Sequence, residues 1–277
     1  MDIYSTTPSG DAGVLALGLV IAGVVSGVAA GMLGIGGGIV MVPVLYHVLA
    51  MLGVDASVRM QLAVGTSLAT MIPTAYSSAA AQNRQGAVDW PLMRGWTIPL
   101  LIGVLAGAAL AGFASGRVLA LIFAAVALPL AAYLAFAGEN RRLATHLPQG
   151  PAGMALPTII GGLSAIMGID GPTLGVPLMT LCGMPVLRAV GTASVVTVII
   201  CVLGAAGAII AGWHAPGLPP YSVGYVNIFG FLLIAPSTFL APFGARIADQ
   251  VDVKRMRIVF AAFITIVTAR MLFDALV

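Results

Sequence analysis

The sequence predicts an all-α, polytopic membrane protein made of two inverted repeats, each a broken-helix hairpin followed by about three transmembrane spans. Three observations predict it. Of 277 residues, 60% are hydrophobic and only 8% are charged, whereas a soluble domain carries about 25% charged residues. Apolar stretches recur along the chain at lengths near the roughly 20 residues that cross a bilayer. An apolar motif broken by glycines occurs twice, as Gly34-Ile35-Gly36-Gly37-Gly38-Ile39-Val40-Met41-Val42-Pro43 and as Gly168-Ile169-Asp170-Gly171-Pro172-Thr173-Leu174-Gly175-Val176-Pro177.

Taken in order, a tail at 1–12 precedes a first repeat at 13–138, a cytoplasmic linker at 139–151 and a second repeat at 152–277. The tail carries Asp2 and Asp11 but no Lys or Arg. It lacks the basic region of a signal peptide, so the first apolar segment is expected to be retained. Apolar segments of the first repeat run at 13–33, 39–51, 60–82, 91–114 and 117–138. Those of the second run at 153–168, 172–183, 188–212, 226–247 and 254–275. Segments 39–51 and 172–183 are too short to cross a bilayer and read as half-helices. A second motif is also duplicated: Ala63-Val64-Gly65-Thr66-Ser67 recurs as Ala189-Val190-Gly191-Thr192-Ala193-Ser194. Two matches in the same order indicate an internal repeat.

Orientation follows from Lys and Arg, which collect in cytoplasmic loops. The basic loops hold Arg84 and Arg94, Arg141 and Arg142, and then Arg246, Lys254, Arg255 and Arg257. Placing them inside puts both termini outside. It also makes 13–33 with 39–51 a hairpin that returns to its side of entry, and likewise 153–168 with 172–183. Each half then has an odd number of spans, which inverts the second half. The alternative reads each broken pair as one kinked span and gives a parallel repeat, but it leaves Arg84 and Arg94 outside.

Broken helices at membrane depth are tolerated where the freed backbone groups are buried in protein or line a cavity. Breaks at corresponding positions of two halves point to a transporter's binding site. The half-helix after each break turns its free N–H groups and positive dipole end toward the break, which suits a small anion. Gly36, Gly37 and Gly38 form this site in the first copy, and Asp170, Gly171 and Pro172 in the second. Asp170 is the one carboxylate inside an apolar core segment. It is either the N-cap of the second half-helix or a carrier that binds and releases a proton. Thr66, Ser67, Thr192 and Ser194 either donate to substrate oxygens or bond the carbonyl one turn back.

No metal site, nucleotide loop, nucleic-acid patch or hydrolase nucleophile stands out, and no cofactor is expected. Cys182 and Cys201 sit in apolar runs, and the three histidines have no ligand spacing. Stripes at Gly23, Gly27 and Gly31, and at Gly103 and Gly107, suit close helix packing. The same stripes would serve a homodimer.

With these residues in view, the chain resembles the sulfite exporter TauE/SafE family. The resemblance rests on 34–43 preceded by Ala30-Gly31, on 63–67, on Gly86-Ala87-Val88-Asp89-Trp90, and on the second-half motifs at 168–177 and 189–194. It implies movement of a small anion across the bacterial inner membrane, typically sulfite or an organosulfonate. The expected activity is therefore export of such an oxyanion by alternating access, without enzymatic chemistry. The alternative is proton-coupled uptake of a small carboxylate or a thiosulfate-like anion, with Asp170 as the proton carrier. The second copy departs from the first by placing Asp170 and Pro172 where glycines stand.

Overall fold

The computed structural model describes residues 38–136, 150–228, 230–231 and 253–276. The tail at 1–12, segment 13–33, Gly36 and Gly37, the linker at 139–149 and most of segment 226–247 lie outside the described residues. Eight helices are described. They are α1 Gly38–Met51, α2 Ala56–Arg84, α3 Trp90–Phe113, α4 Gly116–Phe136, α5 Pro151–Met167, α6 Gly171–Leu181, α7 Val186–Gly212 and α8 Val253–Leu276. Each falls within a few residues of an apolar segment read from the sequence.

One boundary differs. Segment 226–247 was expected to be apolar helix from its start, but Val226–Asn227 (β2) pairs antiparallel with Ser222–Val223 (β1) in a short hairpin. Tyr225 N–H donates to Ala208 O on α7 at 3.1 Å, so the segment opens as a turn tied to α7, and helical backbone begins only at Ile228.

Local chemistry fixes the helix starts. Asp55 accepts Ser57 N–H at 2.8 Å ahead of α2. Asp89 accepts Leu92 N–H at 3.1 Å ahead of α3, where Pro91 sits in the first turn. Both satisfy donors that a helix start leaves free.

Among the described residues three helices, Trp90–Phe113, Gly116–Tyr133 and Val186–Gly212, are long and apolar enough to cross a membrane. On α3, Ile98, Ile102 and Leu105 are exposed at helical spacing, a stripe suited to lipid. Its other face carries Gly103 and Gly107, which abut the backbone of Thr158 and Gly162 on α5. The small-residue stripe therefore serves close packing within the chain.

The glycine contacts also give helix directions. Gly103 meets Thr158 and Gly107 meets Gly162, so α3 and α5 run the same way. Ala108 meets Gly207 and Gly112 meets Ala211, so α3 and α7 also run the same way. Gly65 meets Ala208 whereas Leu68 meets Gly204, so α2 and α7 are antiparallel. Because α5 and α7 are parallel, the chain between them has to double back. Gly171 abuts the Ala193 carbonyl and Thr197, well inside α7, and α6 then returns toward Val186. Helices α5 and α6 thus form a hairpin, and α6, at 11 residues and ~1.5 Å per residue, covers about half a bilayer.

Two ends result. One gathers the α2–α3 turn and the start of α7, where Gly191 abuts Ala87. The other gathers the start of α2, the α3–α4 turn and the hairpin, where Gly116 sits against the Ala56 carbonyl.

Candidate functional site: two helix breaks in contact

Helix α5 ends at Gly168, whose φ of 69° lies in the left-handed region that favours glycine. Ile169 N–H closes the turn by donating to Ser164 O at 3.0 Å. Asp170 follows with extended backbone (φ −85°, ψ 166°) in the N-cap position of α6. It is 4% exposed. Its carboxylate accepts the Thr173 hydroxyl, and among the described residues no cationic side chain pairs with it. Gly171 N–H donates to Thr197 Oγ1 at 3.1 Å, and the Ser67 hydroxyl donates to Gly168 O at 2.9 Å. The second break is held by α2 on one side and α7 on the other.

The first copy reaches the same point. A Cβ placed on Gly38, the first residue of α1, would lie 2.6 Å from Ile169 Cα and 3.0 Å from Asp170 N. The two glycine motifs are therefore in backbone contact at Gly38, and only a glycine fits there. Both half-helices, α1 and α6, begin at this junction. A helix start carries N–H groups that its own helix cannot pair; at α6 the first of them, Gly171 N–H, is held by Thr197.

The other expected residues have different partners. Thr66 Oγ1 accepts Asn227 N–H at 2.9 Å, and Thr192 Oγ1 accepts Asp89 N–H at 3.1 Å. Gly65 abuts the Tyr225 carbonyl, just as Gly191 abuts the Ala87 carbonyl. The duplicated Gly-Thr elements thus bind loops reciprocally, each helix clasping the loop that belongs to the other half. Ser194 bonds back to Gly191 O at 2.7 Å within its own helix. Of the four hydroxyl residues singled out, only Ser67 reaches the break. Gly171 is buried and Pro172 partly buried at its edge.

This clasp exposes a third repeated motif. Gly86-Ala87-Val88-Asp89-Trp90 matches Gly224-Tyr225-Val226-Asn227-Ile228. Both glycines have positive φ, 66° and 57°. Asp89 accepts the N–H of Leu92, and Asn227 that of Gly230, each three residues on. The sequence signal was the shared Gly-x-Val followed by Asp or Asn, two residues that cap helices equally well.

Two further polar side chains matter. Ser164 is fully buried, and its hydroxyl has no hydrogen-bond partner among the described residues. It stands one turn before Gly168, on the same face of α5. Gln61 on α2 is 6% exposed, and its Oε1 is likewise buried without a partner. Their signal in sequence was modest: a lone polar residue in an apolar helix near a break. Among the described residues no cluster of three or more metal-ligating side chains occurs.

The chain has recognisable relatives. It is 29% identical over 252 residues to a probable membrane transporter protein of Haemophilus influenzae, covering 91% of this chain and 96% of the relative. It is 23% identical over 256 residues to a probable membrane transporter protein of Methanocaldococcus jannaschii, covering 92% and 94%. It is 23% identical to the probable membrane transporter protein YunE of Bacillus subtilis, covering 93% and 97%. No solved structure matches the chain. The family model for the sulfite exporter TauE/SafE matches residues 19–271. That match spans both helix breaks and the reciprocal clasp, and the chain belongs to the sulfite exporter TauE/SafE family.

Proposed function

We propose that this protein exports a small oxyanion, sulfite or an organosulfonate, across a bacterial inner membrane by alternating access. The observation that carries the reading is the contact between the two breaks, Gly38 against 168–170. Two half-helix starts facing one point favour an anion through their positive dipole ends, although at α6 Gly171 N–H is held by Thr197 and Pro172 has no N–H. The unpartnered Ser164 hydroxyl nearby offers one more donor.

An inverted repeat fits this reading. Helices α2 and α7 carry the same Ala-Val-Gly-Thr motif and pack antiparallel, and the α5–α6 hairpin adds no net crossing, which leaves each half the odd number of spans that inversion needs. Charge supports one orientation. Arg84, Arg94 and Arg188 gather at one end with the α2–α3 turn and the start of α7, whereas Arg59 and Arg117 belong to the other. The first end is then cytoplasmic. Export of a monovalent anion from a negative interior gains about 2.3 kcal/mol per 100 mV, so it needs no coupling ion.

The test is thermal stabilisation by sulfite, sulfate, thiosulfate, an alkylsulfonate, acetate and chloride. A ligand at 100 times its Kd stabilises the folded state by ~2.7 kcal/mol. A selective rise with a sulfur oxyanion, lost in Gly38→Leu and Gly171→Leu, is expected. A flat response across the panel refutes the site.

One observation favours the second reading, proton-coupled uptake. Asp170 is buried beside the junction with no cationic partner among the described residues, where a fixed negative charge would repel an anion. Under this reading Asp170→Asn abolishes pH-dependent uptake in proteoliposomes but spares exchange. Loss of both in a folded variant assigns Asp170 to capping α6.

A further inference from the structure

A small cavity beside the break, of about 10 Å³ and so with room for about one water in this conformation, is lined by Gln61, Val64 and Leu68 of α2, Ala165 of α5, Gly204 of α7 and Tyr225 of the hairpin, among others. Val64 packs on Gly168, so the cavity adjoins the junction. Its lining is apolar or small except for Gln61 and Tyr225. One amide proton of Gln61 is fixed, because Nε2 donates to Ala114 O at 2.9 Å in the α3–α4 turn. That bond also sets the flip of the amide, since the opposite flip would face two carbonyl oxygens at each other. Oε1 is left buried and unpaired, a state that carries a desolvation penalty unless a donor arrives.

We infer that Gln61 is a specificity-determining residue that selects oxyanions still carrying an acid proton. The Oε1 acceptor receives the ligand's O–H while the second Nε2 proton donates to one of its other oxygens. Hydrogen sulfite has both groups. A sulfonate, or fully deprotonated sulfite, presents acceptors only and meets Oε1 with repulsion. The half-helix starts at the junction attract any small anion, whereas Gln61 discriminates by protonation. This inference rests on the transport reading above and narrows its substrate class.

The experiment measures uptake into proteoliposomes of sulfite and of methanesulfonate by the wild-type protein and by Gln61→Met, across mildly acid to mildly alkaline pH. The wild type is expected to carry sulfite in preference to methanesulfonate, at a rate that follows the monoprotonated fraction down as pH rises. Gln61→Met is expected to raise KM for sulfite about tenfold, the equivalent of one ~1.4 kcal/mol hydrogen bond, to lower KM for methanesulfonate because the repulsion from Oε1 is gone, and to flatten the pH profile. Gln61→Met retaining the sulfite KM and pH profile overturns the inference and makes Oε1 the partner of a resident water. Should Gln61→Met fail to fold, the wild-type comparison decides alone. Equal carriage of sulfite and methanesulfonate without pH dependence overturns the inference but leaves anion transport standing. Carriage of neither anion removes both.

Discussion

At the scale of single residues, the glycines divide sharply by what surrounds them. Gly65 and Gly191 lie against carbonyl oxygens of Tyr225 and Ala87, so an added methyl has nowhere to go and backbone must shift. Gly95, on the exposed side of α3, has nothing within 4 Å of where a Cβ would stand. Alanine is the better helix former by about 1 kcal/mol in a helix interior. Gly65→Ala and Gly191→Ala are therefore expected to destabilise by about 1–3 kcal/mol, whereas Gly95→Ala is neutral or stabilising. Thermal melts of the detergent-solubilised protein check the three together. A loss at Gly95 as large as at Gly65 would mean that helix propensity and packing are not what separates them.

At the scale of elements, the reciprocal clasp makes a paired prediction. Thr66→Val and Thr192→Val each strand one loop N–H, and a buried donor left unpaired costs about 1–3 kcal/mol. The bonds join the halves toward opposite ends of the molecule, so their effects are expected to add within about 0.5 kcal/mol in the double variant. Melting points of the two single variants and the double variant test it. Unchanged melting with loss of the anion-induced shift would instead make these hydroxyls ligands of the substrate. The elements themselves were legible in sequence because apolar length and glycine breaks set them. The starts of α3 and α6 could be read from Asp89-Trp90-Pro91 and Asp170-Gly171-Pro172. The partners of the threonines were not legible, since Thr66 meets a loop 161 residues away and Thr192 one 103 residues away. Ser164 and Gln61 escaped for a related reason. A hydroxyl or amide in an apolar helix reads as self-satisfied, and only the fold reveals an atom without a partner.

At the scale of the whole molecule, inversion of the repeats is testable by where four exposed positions face. Arg94 opens α3 and Arg188 opens α7, at the same end of the fold. Ser115 lies in the α3–α4 turn and His214 beyond the end of α7, at the opposite end. A parallel repeat predicts otherwise, because it would make α7 run in the direction of α2 and place Arg188 across the membrane from Arg94. With the free thiols Cys182 and Cys201 replaced by alanine, single cysteines at the four positions can be probed in intact cells with a membrane-impermeant maleimide. Ser115→Cys and His214→Cys are expected to react from outside, and Arg94→Cys and Arg188→Cys only after permeabilisation. Reaction of the arginine positions alone would reverse the orientation while keeping the inverted repeat, and would go against the bias of Lys and Arg toward cytoplasmic loops. Opposite behaviour of Arg94→Cys and Arg188→Cys would break the repeat itself. The two half-helix starts would then no longer be related by an axis in the membrane plane, and neither half would present its helix start as the mirror of the other to the two sides in turn.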